Sequence, residues 1–126
     1  MITGLTYASH QVGDLDRARS FYEGLLGLQS TGVYDNRWEE YALPDGTIFA
    51  VYKAQADTPD YFKKQTVTAS IAFAVDDLDK LAQTLKKAGV TFLQEPVDNA
   101  GHCKMAYVAD PDGNIVTLHE LLEADD

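Results

Sequence analysis

The sequence predicts an α+β fold made of two copies of one β-α-β-β-β module. Two features occur twice, in the same order and at nearly the same interval: a strand-like stretch that runs into a helix start, and a Pro-Asp-Gly turn. Neither module can bury its sheet alone, so we expect the two four-stranded sheets to pair into a curved eight-stranded half-barrel around a cavity. The repeated segments are 5–12 with 13–16, 68–75 with 76–79, and the turns 44–46 and 111–113.

The first module is predicted over residues 1–53. Side chains alternate in character along 5–12, which is typical of a strand. Asp14 is a good helix N-cap, and Gly27 is placed to end a helix whose apolar residues recur every three or four positions. Three further strands are predicted at 29–34, 37–43 and 47–53.

The second module, residues 68–121, repeats this plan after a linker at 54–67 and before an acidic tail at 122–126. Asp77 is the expected N-cap of its helix, and Gly89 is the expected end. We expect the whole chain, 1–126, to form a single domain of two modules. The predicted strands are 68–75, 90–94, 104–109 and 115–121.

Composition narrows the class of protein. Hydrophobic residues make up 45% and charged residues 24% of the 126 residues, as in a globular domain. The net charge of −10 argues against nucleic acid and anionic membrane surfaces as partners. Cys103 is the only cysteine, which excludes an internal disulfide and fits a reducing cytoplasm. No leader peptide or spanning apolar run is visible, so a cytoplasmic location is expected.

Residues 12–18, with Phe21-Tyr22 and 26–28, resemble the first-half signature of the vicinal oxygen chelate superfamily, and 110–114 resemble its second-half signature. That superfamily includes glyoxalase I, the extradiol dioxygenases and the bleomycin-resistance proteins. The resemblance covers both modules and implies paired β-α-β-β-β modules. It also implies a homodimer, because members commonly dimerise. The same fold carries several chemistries, so the resemblance does not select one reaction.

The resemblance also implies where a metal would bind. Metal-dependent members place His, Gln or Glu at four related positions, which correspond here to Tyr7, Ala50, Ser70 and Thr117. Ala50 has no donor atom, and hydroxyl groups are poor sole ligands. Catalytic divalent metals normally require about three imidazole or carboxylate ligands. We therefore predict no cofactor, and a divalent metal is disfavoured.

Three histidines remain to be placed. His119 is the strongest catalytic candidate, because strand alternation puts it on the same face as Thr117, where an imidazole could bind a ligand or act as a general base. The alternative is a partly exposed histidine at a strand end. His10 is expected to be hydrogen bonded in the core or at a subunit boundary, and His102 to lie in an exposed loop.

Aromatic residues give a positive signal for binding. Tyr7, Trp38 and Tyr52 are expected to face the cavity, where such rings suit a flat or amphipathic organic molecule. The alternative is that these rings fill the cavity or form a dimer contact. Of the adjacent Glu39 and Glu40 only one can face the cavity, and a surface position is expected.

We therefore predict a metal-independent protein that binds a small organic ligand, as in sequestration or resistance. The alternative is a lyase, isomerase or dioxygenase that uses an atypical metal site, or His119 or a glutamate as acid or base. A third alternative is a structural dimer whose cavity is filled by side chains. The predicted ligand-binding residues are Tyr7, Trp38, Tyr52, Ser70, Thr117 and His119.

Overall fold

The structure is a computed structural model that describes residues 1, 3, 6–58 and 71–122. The chain divides into two compact units, Met1–Thr66 and Val67–Asp126. Each unit contains one four-stranded mixed sheet with the element order β-α-β-β-β, so the predicted module is present twice. Ser70, which was predicted to bind ligand, lies outside the described residues.

In the first unit, the sheet order is β1-β4-β3-β2. The β1 strand runs parallel to β4, and the remaining pairs are antiparallel. The Asp14 side chain accepts a hydrogen bond from the amide of Arg17, which confirms the predicted N-cap. The elements are β1 (Ala8–Val12), α1 (Leu15–Arg19), a π-helical segment (Ser20–Leu25), β2 (Gln29–Tyr34), β3 (Trp38–Ala42) and β4 (Ile48–Lys53).

The helix covers one face of this sheet. Tyr22 packs on Phe49 with ring centroids 5.0 Å apart, and its hydroxyl lies 3.0 Å from Nδ1 of the buried His10. His10 is therefore a hydrogen-bonded core histidine, as predicted. Because side chains alternate along strands, the neighbours of these residues point to the opposite side, which we call the helix-free face.

The second unit has the equivalent sheet order β5-β8-β7-β6. Asp77 caps its helix by accepting from the amide of Lys80, and Glu120 accepts from the amide of Leu78 at 2.7 Å. Glu120 therefore points towards the helix, away from the face that carries His119. The elements are β5 (Ile71–Ala74), α2 (Leu78–Lys87), β6 (Phe92–Asn99), β7 (Cys103–Ala109) and β8 (Ile115–Leu121).

The second-half signature at 110–114 forms a tight turn between β7 and β8. The carboxylate of the buried Asp110 accepts from the amide of Asp112 at 2.9 Å, and from the amide and side chain of Asn114 at 2.8 Å each. These hydrogen bonds satisfy buried polar groups within the turn. The residues of the signature thus stabilise the turn between β7 and β8.

Two elements differ from the sequence predictions. The first helix is α-helical only to Arg19 and continues as a π-helical segment, in which the amide of Leu26 donates to the carbonyl of Phe21. Strand β6 extends to Asn99 through Pro96, where residue 94 was the expected end. Proline is tolerated there because β6 is an edge strand with register shifts. None of the helices in the described ranges is long and apolar enough to cross a membrane.

Candidate functional site

Three aromatic rings meet on the helix-free face of the first unit. Tyr7, just before β1, packs edge-on against Trp38 with centroids 5.0 Å apart and an interplanar angle of 81°. Trp38 lies opposite Tyr52 in the β3–β4 register, with centroids 6.1 Å apart. We call Tyr7, Trp38 and Tyr52 the aromatic cluster. Tyr7 is 52% exposed, so part of the cluster is open to solvent.

The hydroxyl of Tyr52 is held in place by the segment that follows β4. It lies 2.7 Å from Oγ1 of the buried Thr58, which also accepts from the amide of Gln55 at 2.8 Å. That segment is itself fixed by an ion pair between Arg37 and Asp57, with Nη1 and Oδ1 2.9 Å apart. The hydrogen bond to Asp57 raises the pKa of Arg37. The ring of Tyr52 is therefore oriented before any ligand arrives.

Glu40 lies beside the aromatic cluster. Its Oε1 accepts a hydrogen bond of 3.0 Å from the indole Nε1 of Trp38. In the sheet register Glu40 is the partner of Ala50, and Ala50 is the partner of Ser9 on the other side. These three side chains form one rung across the helix-free face, in which the carboxylate is followed by two small side chains.

Glu39 points to the opposite face, and the expectation of a surface position for it was wrong. It is 3% exposed, and its Oε1 lies 2.6 Å from Nε of Arg19. The pKa of Glu23 is raised by burial and by a hydrogen bond with Glu39. Burial, followed by the charges of Glu39 and Glu23, raises the pKa of Tyr41. Packing against the helix thus encloses a charged group that the sequence pattern did not reveal.

In the second unit, the predicted residues Thr117 and His119 share the helix-free face of β8. Thr117 is buried, and His119 is half-buried opposite Met105 of β7 and Ala74 of β5. No ion pair joins His119 to a carboxylate of the described residues. His102 is exposed, as predicted. A base paired with an orienting acid is therefore not assembled around His119 by the described side chains.

The described residues do not fit the metal site that the family resemblance implies. Ala50 is fully buried and offers only a methyl group, while Tyr7 packs against Trp38. Thr117 has a hydroxyl, and Ser70 lies outside the described residues. Within the described part of the chain, no three His, Cys, Asp or Glu side chains are grouped closely enough to hold a metal ion. Three imidazole or carboxylate ligands, the usual requirement, are not brought together there.

The structure thus brings together three of the six predicted ligand residues, the aromatic cluster. Two others, Thr117 and His119, are neighbours in the second unit, and their participation in the same site stays a prediction. Glu40 and Thr58 were missed as site residues. Alternation from Trp38 could have placed Glu40 on the correct face, whereas nothing in the local pattern indicates that Thr58 is buried against Tyr52.

A shallow hollow of about 380 Å³ lies elsewhere in the first unit, beyond the end of its helix. It is lined by no titratable side chain and by no residue predicted to bind ligand. Its lining residues are Gly27, Leu28, Gln29, Ala42, Leu43 and Pro44.

Comparison with known proteins identifies the family. The model of the Glyoxalase/Bleomycin resistance protein/Dioxygenase superfamily matches residues 4–118. The chain belongs to this superfamily. The finding confirms the family and the fold class predicted from the sequence. Members of the superfamily bind small-molecule substrates and commonly form dimers.

Individual relatives differ in activity. The probable lactoylglutathione lyase of Vibrio parahaemolyticus is 31% identical over 120 residues, which cover 86% of this chain and 83% of that protein. The anthracycline biosynthesis protein DnrV of Streptomyces peucetius is 30% identical over 79% of this chain and 40% of its own length. A crystal structure of the fosfomycin resistance protein FosX from Listeria monocytogenes, complexed with Mn(II), has a TM-score of 0.73 at 19% identity and covers 94% of this chain and 90% of that one.

These relatives include a named lyase and a protein crystallised with manganese. Membership of the superfamily is therefore compatible with a lyase reaction as well as with ligand binding. The side chains of this chain, rather than its fold, must distinguish the two.

Proposed function

We propose that this protein binds a small, flat organic molecule against the aromatic cluster and does so without a metal ion. The observation that carries the proposal is the convergence of Tyr7, Trp38 and Tyr52 on one partly exposed sheet face. Flat ligands gain both apolar burial and favourable ring contacts against such surfaces.

The polar atoms of the aromatic cluster support the same proposal. The indole N–H of Trp38 donates to Glu40, and the hydroxyl of Tyr52 is bonded to Thr58. The rings are thus fixed by the protein itself and present their faces and edges for contact. A ligand then loses less binding free energy to the ordering of side chains than it would at a mobile surface.

The identity of residue 50 supports the metal-independent part of the proposal. Ala50 occupies a position where metal-dependent members of the family have a ligand, and its buried methyl group offers no donor atom. Conversion of this site into a three-ligand metal centre would require new side chains.

The relationship to DnrV, an anthracycline biosynthesis protein, supports the class of ligand. Anthracyclines contain fused, planar rings, which are the shape that the aromatic cluster suits.

A second candidate function is a lyase reaction, which is favoured by the 31% identity with the probable lactoylglutathione lyase of Vibrio parahaemolyticus. His119 would be its acid or base on this hypothesis. The residue types at the family metal positions oppose it, because they remove the usual source of charge stabilisation for the developing oxyanion.

A thermal-shift screen tests the proposal. The protein is treated with EDTA, its metal content is measured by elemental mass spectrometry, and it is melted with a panel of planar polycyclic compounds and with non-planar compounds of similar size. A ligand at 100 times its Kd stabilises a folded protein by about 2.7 kcal/mol, so binders raise the melting temperature by several degrees.

Trp38→Ala is the informative variant in this screen, and Met105→Ala, at the equivalent register position of the second unit, is its control. We expect the ligand-induced rise in melting temperature to disappear in Trp38→Ala and to persist in Met105→Ala. Lactoylglutathione lyase activity that appears on addition of a metal ion would overturn the proposal and favour the second candidate.

The proposal includes a homodimer, since dimers are common in this superfamily. Light scattering coupled to gel filtration should give a mass of twice 13.9 kDa. A monomeric mass at micromolar concentration would contradict this part alone.

A further inference from the structure

We propose that the ligand of the aromatic cluster carries a positive charge beside its flat apolar part, and that Glu40 selects for that charge. This inference rests on the proposed function and adds the chemical class of the ligand, an organic cation. It depends on where Glu40 lies, on what surrounds it and on what the neighbouring rings prefer to bind.

Glu40 reaches the aromatic cluster directly. Oε1 accepts the indole N–H of Trp38 at 3.0 Å, which fixes the carboxylate at the edge of that ring. A carboxylate has about four acceptor sites, and this hydrogen bond uses one. The remaining sites can accept from a ligand that stacks on Trp38 or Tyr52.

The space next to the carboxylate is bordered by small side chains. Ala50 is the cross-strand partner of Glu40, and Ser9 is the partner of Ala50. At both positions a longer side chain would extend over the rung that leads from Glu40 across the sheet. The two side chains next to Glu40 along this rung are therefore uncharged.

No basic side chain of the described strands neutralises Glu40. On the helix-free face, strands β1, β3 and β4 carry no Lys or Arg, because Lys53 is the register partner of Val12 on the helix side. Arg37, just before β3, is engaged by Asp57 in an ion pair with two hydrogen bonds. Among the residues that strand alternation places on this face, the carboxylate of Glu40 thus has no lysine or arginine beside it.

Aromatic rings add to the preference for a cation. A positive group within about 6 Å of a ring centroid is attracted by the negative face of the ring, and tryptophan is the strongest of the aromatic side chains in this respect. The ring centroids of Trp38 and Tyr52 are 6.1 Å apart, so one cationic group can lie near both rings and Glu40. The same surroundings repel an anionic ligand.

Three planar probes of matched shape test the inference: N-methylacridinium (cationic), acridine at a slightly alkaline pH (neutral), and an acridine carboxylate (anionic). Isothermal titration calorimetry with EDTA-treated protein gives the three affinities. We expect the cation to bind at least fivefold more tightly than acridine, and the anion to bind most weakly, since ion pairs and cation–π contacts at partly exposed sites contribute about 1 kcal/mol each.

Glu40→Gln retains an acceptor for the indole N–H of Trp38 and removes the charge. The matched control is Asp16→Asn, which removes one negative charge from an exposed residue of α1, on the other side of the same sheet. We expect Glu40→Gln to reduce the preference for the cation, measured as the ratio of the two Kd values in the same variant, roughly five- to tenfold. The control should retain the preference within about twofold, which separates a local effect from the net charge of −10.

The outcomes distinguish this inference from the proposed function. Equal binding of cation and acridine to the wild type, or an undiminished preference in Glu40→Gln, would overturn the inference while the proposed function stands. Absence of binding by all three planar probes would contradict both. The wild-type comparison needs no variant, so it holds whatever the stability of the substituted proteins.

Discussion

The helix-free faces of the two sheets can be compared position by position, because β3 and β4 pair in the same way as β7 and β8. Where the first unit has Trp38 opposite Tyr52, the second has Met105 opposite His119. Glu40, the cross-strand partner of Ala50, corresponds to Tyr107, the cross-strand partner of Thr117. One unit therefore presents contacting aromatic rings and a carboxylate, and the other a thioether, an imidazole and a phenol.

The helix-bearing faces differ as well. Arg19 and Glu39 form a 2.6 Å ion pair between helix and sheet in the first unit. The repeat places Ala82 and Ala106 at the corresponding positions of the second unit, and both are buried. By contrast, the helix caps Asp14 and Asp77 are alike in both units.

The comparison shows which features the fold requires and which are specific to one unit. Caps, glycine helix ends and Pro-Asp-Gly turns recur because the backbone needs them. Side chains on the two sheet faces have diverged, and we infer that the aromatic cluster is the part adapted to a ligand.

The largest expected effect comes from the ion pair. Arg19→Ala leaves Glu39, 3% exposed, beside Glu23 without its guanidinium partner. We expect a loss of roughly 2–3 kcal/mol in the free energy of unfolding, at the low end for buried pairs because the Arg19 side chain is 34% exposed. Urea unfolding followed by the emission of Trp38, the only tryptophan, measures it in the first unit.

Asp16→Asn serves as the control, because Asp16 is the exposed partner of Arg19 and its loss should cost less than about 0.5 kcal/mol. The double variant Arg19→Met, Glu39→Leu imitates the apolar pair of the second unit and should recover most of the stability. A double variant as unstable as Arg19→Ala would show that the two units are not interchangeable at this position.

The aromatic cluster gives the next largest effect. Trp38→Ala removes the ring that contacts both Tyr7 and Tyr52, and we expect the affinity for N-methylacridinium to fall by roughly 10- to 30-fold, as for other stacking contacts of about 1–2 kcal/mol. The fluorescence of the probe itself measures this affinity. Met105→Ala, at the equivalent position, should bind as the wild type does; equal losses in the two variants would remove the distinction between the units.

Substitution of the glycine that ends each helix should destabilise the two units equally. Gly27 and Gly89 end their helices with φ of +75° and +80°, and nothing in the described part of the chain lies within 4 Å of a Cβ added at either. The cost of Gly27→Ala and of Gly89→Ala is therefore conformational only, about 1 kcal/mol each. Thermal unfolding of both variants checks this, and a difference of more than about 1 kcal/mol between them would mean that the two ends are not equivalent.

The smallest effect concerns pH. The pKa of Glu23 is raised above its ordinary value of 4.5 by burial and by Glu39, so the folded state favours the protonated form. The resulting stabilisation of the folded protein is fully present below the pKa that Glu23 has in the unfolded chain. It is lost as the pH rises through the pKa that Glu23 has in the folded protein.

Glu23→Gln imitates the protonated side chain. We expect a melting temperature roughly 2–4 °C higher than that of the wild type at neutral pH, and no difference at acidic pH. Lys86, which follows Leu85 as Glu23 follows Tyr22, provides the comparison in the second unit: Lys86→Gln should not reproduce this pH dependence. A gain for Glu23→Gln that does not change with pH would contradict the assignment.

Much of the fold was predictable because local signals agree. The Asp14 and Asp77 caps and the exact bounds of β8 follow from capping chemistry and alternation. The end of β6 was not predictable, because a proline such as Pro96 normally breaks a strand and is tolerated there only at a sheet edge.

The candidate site was predictable only in part. Period-two alternation placed Trp38 and Tyr52 on one face, which the structure shows as contacting rings. Sequence could not show that Glu39 is buried, since an isolated charge is normally exposed and burial here depends on Arg19, distant along the chain. It likewise gave no sign that Thr58 holds Tyr52.

The most direct test of metal-independent binding at the aromatic cluster is a titration of Trp38 emission with N-methylacridinium, in EDTA-treated protein and in the same protein after addition of Mn(II) or Zn(II). Our account predicts saturable quenching with one site per chain and the same Kd in all samples. Saturable quenching that appears only after a metal ion is added would contradict it.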